Sequence, residues 1–293
     1  MRIFSRLRAQ FAAQPGRSDG VVVSTDNRIG QVHAGAGAAM SASTTAAEPR
    51  AATTPKLDAK AARPRRIHAI RDIIEASSYL EIGVYAGGTF FEVDVARKVA
   101  VDVKFRFDVN ERRDPRAAFF EMTSDAYFLG PGAEERFDLI FLDGLHTFEQ
   151  TLIDLNASLL LSHERSAILV DDTVPSDVYS ALPNQRQAIK FRQKAGGKGR
   201  GWHGDVFKLV VYIHDFLPML SYCTINTGGN QQTLVWREPR PSFTPVCGNL
   251  ERISRLDYFW LVDNFRILNP MPEPEAMARL EAWARQARSR NGT

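Results

Sequence analysis

The chain has 293 residues, 44% of them apolar, which admits one large domain or two small ones. No apolar run approaches the roughly 20 residues that span a bilayer, and Cys223 and Cys247, without metal-ligand spacing, argue against a disulfide framework and suit a reducing, cytoplasmic setting. The net charge of +3 is unevenly held: residues 1–66 carry 11 Lys/Arg against 4 Asp/Glu, the remainder is −4, and no nucleic-acid surface is expected of it.

Residues 1–62 are rich in Ala, Ser, Thr, Gly and Arg, with few large apolar side chains after Phe11. Such a segment cannot offset its ordering entropy and is expected to be disordered. Its first 11 residues are basic and amphipathic. They read as a transit peptide, a membrane-surface helix or, more simply, an alanine-rich extension. Order is expected from about Arg65, where Ile67, Ile70 and Ile74 at helical spacing predict an amphipathic helix. Strand signals follow at 79–83, 99–103, 118–122, 137–142 and 166–170, alternating with helical segments. Alternation of this kind predicts a parallel sheet with right-handed crossovers. Thr89 with Glu92, and Thr147 with Gln150, have capping-box spacing, which places helix starts at Thr89 and Thr147. Phe148, Leu152, Leu155 and Leu159 supply the buried stripe of the second helix. A helix is predicted over 206–216, then a hairpin of strands 222–226 and 232–236 around Gly228-Gly229-Asn230. The tail from Ile253 is aromatic, then proline-broken, with a short helix from about Pro274. Residues 258–261 cover either the core or a partner copy.

The first strand ends in Glu81-Ile-Gly83-Val-Tyr85-Ala-Gly87-Gly88, and Asp102 closes the second strand 21 positions after Glu81. Open α/β sheets bind ligands at this edge, with a ribose-binding acid at the end of the second strand. Gly83 and Gly87 permit the turn and clear side chains from a ligand's path. Tyr85 occupies the place of the second glycine of a dinucleotide loop and would crowd a pyrophosphate. A cofactor with a cationic, non-phosphate end fits better, and S-adenosyl-L-methionine is one.

This Glu-x-Gly-x-Tyr-x-Gly turn, with an acid ending the next strand, resembles class I S-adenosylmethionine-dependent methyltransferases, particularly the catechol O-methyltransferase-like branch. The stretch 137–150, containing Asp143-Gly-Leu-His146-Thr147, with Asp171-Asp172-Thr173 and Gly204-Asp205-Val-Phe-Lys208, further resembles a bacterial methyltransferase-domain family of largely unassigned substrates. The resemblance covers about residues 79–236. It implies a Rossmann-like α/β domain over 63–240, built on a seven-stranded, mostly parallel sheet with one antiparallel strand and helices on both faces, followed by an extension, 241–293. It also implies that Glu81, Gly83, Tyr85 and Thr89 line the methionine end of the cofactor, with Gly87 a cofactor-binding glycine of the same turn, and that Asp102 holds the ribose and Ser124 and Asp125 the adenine, with Asp143 beside them. The catechol enzymes prefer glutamate where this chain has Asp102.

Asp143 ends the fourth strand, His146 precedes a helix, and Asp171 and Asp172 end the fifth strand. Neighbouring strands bring three carboxylates and an imidazole together. Clustered carboxylates repel unless something neutralises them, and a hard cation such as Mg2+ does so. The resemblance implies that Asp143, Asp171 and Asp172 bind Mg2+, and that His146 stands where the catechol enzymes carry a catalytic lysine. The expected reaction is methyl transfer to a hydroxyl of a small molecule or glycan, with His146 as general base beside Asp143 and Asp172. Competing readings are a loop-capping Asp143, a loop-ordering His146, and a packing rather than pocket-lining role for Trp202 beside His203. The basic loop 193–201 either closes over an anionic acceptor or is merely solvated. Two other classes stay open, a nicotinamide-binding protein and a non-catalytic Rossmann-like module. The oligomeric state is likewise open.

Overall fold

The structure, a computed structural model, describes residues 59–291 except Arg113. Its strands are β1 (Ser78–Ile82), β2 (Arg97–Asp102), β3 (Ala117–Glu121), β4 (Phe137–Leu142), β5 (Ser162–Val170), β6 (Ser221–Ile225), β7 (Gln232–Trp236) and β8 (Pro270–Met271). Its helices are α1 (Ala59–Ile74), α2 (Ser124–Leu129), α3 (Phe148–Leu160), α4 (Gln185–Lys194), α5 (Phe207–Phe216), α6 (Leu250–Ser254), α7 (Tyr258–Asp263) and α8 (Glu273–Asn291). The expectations for residues 1–58 fall outside the described residues.

Alternation along the strands divides the core between two faces. Leu80, Ile82, Val99, Val101, Ile140, Leu142, Ile168 and Val170 belong to one cluster, with Leu155 of α3 and Leu209, Val210 and Ile213 of α5. Tyr79, Ala100, Leu139, Phe141, Ala167 and Leu169 belong to the other, with Ile67 and Ile70 of α1 and Leu280 and Trp283 of α8. Burial on both faces explains the nearly continuous apolar strands of a parallel sheet.

The strand order is β3-β2-β1-β4-β5-β7-β6-β8. β7 runs antiparallel to both β5 and β6, and the other pairs are parallel. The sequence predicts seven strands; the eighth is a two-residue piece of the C-terminal tail that covers the edge of β6. Residues 258–261 cover the core in part: Leu261 is buried and Trp260 packs on it, while Phe259 is exposed.

Four features differ from expectation: β5 starts at Ser162, four residues before the predicted strand, the helix expected to be short runs 19 residues over Glu273–Asn291, and two others lie nearer the site. α1 starts at Ala59, six residues before Arg65. No helix forms at Thr89; residues 89–92 are turns. The Lys98 ammonium is buried there and donates to the carbonyls of Phe90 (3.0 Å) and Val93 (2.9 Å). A continuing helix would have used those carbonyls internally. Phe90, Val93 and Val95 are buried in place of a helical stripe.

Register sets the edge. Ile82 pairs with Val101 and with Leu142, and Leu142 pairs with Val170. The next residues, Asp102, Gly83, Asp143 and Asp171, therefore emerge side by side at the carboxyl ends of β2, β1, β4 and β5. Strand order reverses between β1 and β4, the switch point where such sheets hold ligands. Among the described residues, no helix is long and apolar enough to cross a membrane.

Candidate functional site

At the switch point lies a cavity of about 390 Å³, lined by Ile82, Gly83, Tyr85, Val101, Asp102, Val103, Met122, Thr123, Ser124, Asp125, Asp143, Gly144, Leu145 and Gln150. The volume suits a small ligand or cofactor. Gly83 has φ +89, and a Cβ there would overlap the Asp143 carbonyl, so the close approach of β1 and β4 requires glycine. Tyr85 also adopts a left-handed conformation, φ +50, and leaves its ring exposed at the rim. The Asp102 carboxylate accepts from the backbone N–H of Tyr85 (2.7 Å) and of Lys104 (2.8 Å). Two of its four acceptor positions remain for a ligand. Gln150 does not complete a capping box. Its amide donates to Asp125 (2.9 Å), Ser124 (3.2 Å) and Asp154 (3.1 Å), which ties α3 to α2 at the cavity floor.

Six of the nine residues expected to touch the cofactor thus line one cavity: Gly83, Tyr85, Asp102, Ser124, Asp125 and Asp143. Glu81, Gly87 and Thr89 do not line it. Glu81 alternates with Ile82 and so faces the α1 side of the sheet, where the Tyr79 hydroxyl donates to it (2.7 Å). Burial raises its pKa to about 8, although the Tyr79 bond opposes the shift. Gly87 lies under the Phe91 ring, and Thr89 is buried within the non-helical crossover.

Beside the cavity, the ends of β4 and β5 carry an ionic cluster. His146 directs Nδ1 at Asp172 Oδ2 (3.0 Å) and Nε2 at Asp143 Oδ1 (3.3 Å). Its ring stacks on Trp202, centroids 5.2 Å apart. The Trp202 indole donates to the Leu182 carbonyl, so Trp202 both packs and positions His146. The loop is fixed from a distance. Gly204, φ +61, presses on the His146 carbonyl so closely that no Cβ fits. Asp205 Oδ1 accepts from the N–H of Phe148 (2.9 Å), while the Thr147 side chain makes no capping bond. α3 begins where its capping box predicts, but the cap comes from Asp205. Lys208 secures Asp205 (2.8 Å).

Burial alone would depress the His146 pKa; the bonds to Asp143 and Asp172 outweigh it and hold the imidazole well above its usual value. Both ring nitrogens of His146, the residue expected as general base, are thus engaged by carboxylates. Asp172, at φ +55, is buried; its pairing with His146 outweighs burial and keeps its pKa low. Left-handed backbone at a residue in such a cluster is a common mark of function. His203 lies on the other side, its Nε2 3.9 Å from Asp172, and burial lowers its pKa, which keeps it neutral near pH 7. Its Nδ1 has no hydrogen-bond partner among the described residues. No local pattern marked His203 in the sequence as more than pocket wall.

The expected Mg2+ ligands are already engaged by protein groups. Asp171 Oδ1 accepts from the Gln232 amide (3.0 Å), and Oδ2 pairs with Arg63 of α1, which also reaches Asp143 Oδ2 (3.7 Å). Asp172 Oδ1 faces the Asn230 amide (3.3 Å). Each of the six carboxylate oxygens thus faces a nitrogen group. The geometric alternative is Asp143, His146 and Asp172, whose ligand atoms lie within 4.8 Å of one another. His146, however, gives one nitrogen to each carboxylate and so lies between them, where a shared ion would have to be. The residues as arranged do not fit Mg2+ bound to Asp143, Asp171 and Asp172.

No family model and no curated protein matches the chain. Solved structures with a similar fold include an O-methyltransferase from Bacillus cereus in complex with SAH (16% identity, 64% of this chain and 82% of that one, TM-score 0.43). Another is the O-methyltransferase TomG from Streptomyces achromogenes in complex with SAM (15%, 63% and 83%, TM-score 0.42). A third is cofactor-bound Rv0187 from MTB (17%, 65% and 84%, TM-score 0.42). Likeness at this level carries no inference about activity, which rests on the site itself.

Proposed function

We propose that the chain is a cytoplasmic S-adenosylmethionine-dependent methyltransferase that acts on a hydroxyl of a small molecule or glycan. The observation that carries this reading is the charge of the cavity: among its 14 lining residues are Asp102 and Asp125, together with Asp143, which is paired outside the lining with His146 and Arg63, and no Lys, Arg or His. An acidic wall favours a cationic ligand and repels a pyrophosphate. The crossover after β1 also forms no helix, so it offers no helix N-terminus to a dinucleotide phosphate. A sulfonium cofactor with a ribose on Asp102 satisfies both conditions, with its adenine beside Ser124 and Asp125.

Asp143 and the ionic cluster beside the cavity would border the methyl end of such a cofactor. Held by Asp102 at its ribose and by Ser124 and Asp125 at its adenine, the cofactor would supply an electrophilic sulfonium methyl group to the acceptor hydroxyl. The hydroxyl proton leaves toward the cluster of Asp143, His146, Asp172 and His203 beside the cavity. The His146 imidazolium, its two N–H groups held by Asp143 and Asp172 and its ring by Trp202, adds a fixed positive charge beside the acceptor oxygen as negative charge develops there. Orientation of the two reactants supplies much of the acceleration. Calorimetric titration with S-adenosylhomocysteine tests the reading: micromolar one-to-one binding is expected, and absence of binding overturns it.

A further inference from the structure

We infer that Arg63 is the resident cation of the carboxylate cluster, in the place where a divalent metal would otherwise bind. The inference rests on the methyltransferase reading for its catalytic consequence, but its structural content stands apart.

Three carboxylates, Asp143, Asp171 and Asp172, meet at adjacent strand ends, and buried like charges of this kind are unstable without a partner. The partner arrives from α1, the helix preceding the sheet. The Arg63 guanidinium contacts Asp171 and lies 3.7 Å from Asp143. A planar fork of donors can bridge two carboxylates, as a lysine point charge cannot. A second arginine fixes the geometry: Arg66, fully buried, donates to the carbonyls of Thr227 (2.9 Å) and Asn230 (2.8 Å), to Glu273 (2.9 Å) and to the Gln232 side-chain oxygen. The Gln232 amide then donates to Asp171 (3.0 Å). One helix thus delivers both the cation and, through Gln232, the orientation of the carboxylate it meets. The Arg63 side chain keeps 26% of its surface exposed, which leaves it able to stabilise negative charge on an acceptor oxygen, as a metal would.

The assignment predicts that removing the guanidinium opens a cation site. Mn2+ is titrated into the full-length wild type and Arg63→Met and followed by electron paramagnetic resonance, with S-adenosylhomocysteine binding measured on the same preparations. Expected are no Mn2+ site below millimolar in the wild type, one site at least about tenfold tighter in Arg63→Met, and its loss when Asp171→Asn is added. A tight Mn2+ site in the wild type overturns the inference, and so does an Arg63→Met protein that folds but binds no tighter. If Arg63→Met does not fold, Arg63→Gln replaces it, and the wild-type titration decides on its own. Failure to bind S-adenosylhomocysteine sinks the methyltransferase reading while leaving the Mn2+ result interpretable.

Discussion

The two halves of the carboxyl edge use the same side chain in opposite ways. At the β1–β3 end, Asp102 is held only by backbone N–H groups and opens onto a cavity. At the β4–β5 end, Asp143, Asp171 and Asp172 are met by His146, Arg63, Gln232 and Asn230, oxygen by oxygen. A carboxylate with spare acceptors is a binding group; carboxylates saturated by fixed donors form a preorganised electrostatic field. The difference predicts that binding and turnover separate between the two halves.

Asp172→Asn carries the largest expected effect. Asparagine tolerates the left-handed backbone but leaves His146 with one anionic partner. Turnover is expected to fall ~10²–10⁴-fold, with S-adenosylhomocysteine affinity within a few-fold of wild type. Calorimetry and initial rates separate the two, and a parallel loss of affinity would merge the halves into one site. Asp102→Ala is the converse. Loss of charge-assisted hydrogen bonds to a ribose should weaken cofactor affinity ~10–100-fold, with kcat at saturating cofactor changed little. Unchanged affinity removes Asp102 from the ribose.

A last effect, on stability and not on binding or turnover, concerns Glu81, on the far face of β1. Its folded pKa is about 8 against an ordinary 4.5. Between those values the unfolded chain releases a proton that the folded state keeps, so this group costs stability increasingly as pH rises from about 4.5 to 8 and adds no further cost above it. Glu81→Gln removes that dependence. Its melting temperature relative to wild type should climb from pH 5 to pH 8, by an equivalent of about 1.4 kcal/mol per pH unit at most. A pH-independent difference shows that Glu81 ionises freely, which would return it to the candidates for the cofactor's methionine end.

Much of the architecture was legible because strands announce themselves locally. Apolar runs at 79–82, 99–101, 137–142 and 167–170, each ending on glycine or a carboxylate, located β1, β2, β4 and β5 and the row Gly83, Asp102, Asp143 and Asp171. The side of β1 on which Glu81 falls was legible too, from its alternation with Ile82, but the motif obscured it. The crossover after β1 was misread because a capping box reports only local preference. Lys98, from the following strand, takes the carbonyls a helix there would need.

The sequence by itself determined the sheet, its ligand-binding edge and the identity of the acids along it, because period-2 patterning and turn chemistry are properties of neighbouring residues. Only the tertiary structure decided what those acids do. Arg63 precedes Asp143 by 80 positions, Asp205 caps a helix 57 positions away, and His203 reaches Asp172 from a separate loop. Whether a carboxylate binds a ligand, a metal or an arginine depends on its partners in space, and a charge's partners are set by the fold rather than by its place in the chain.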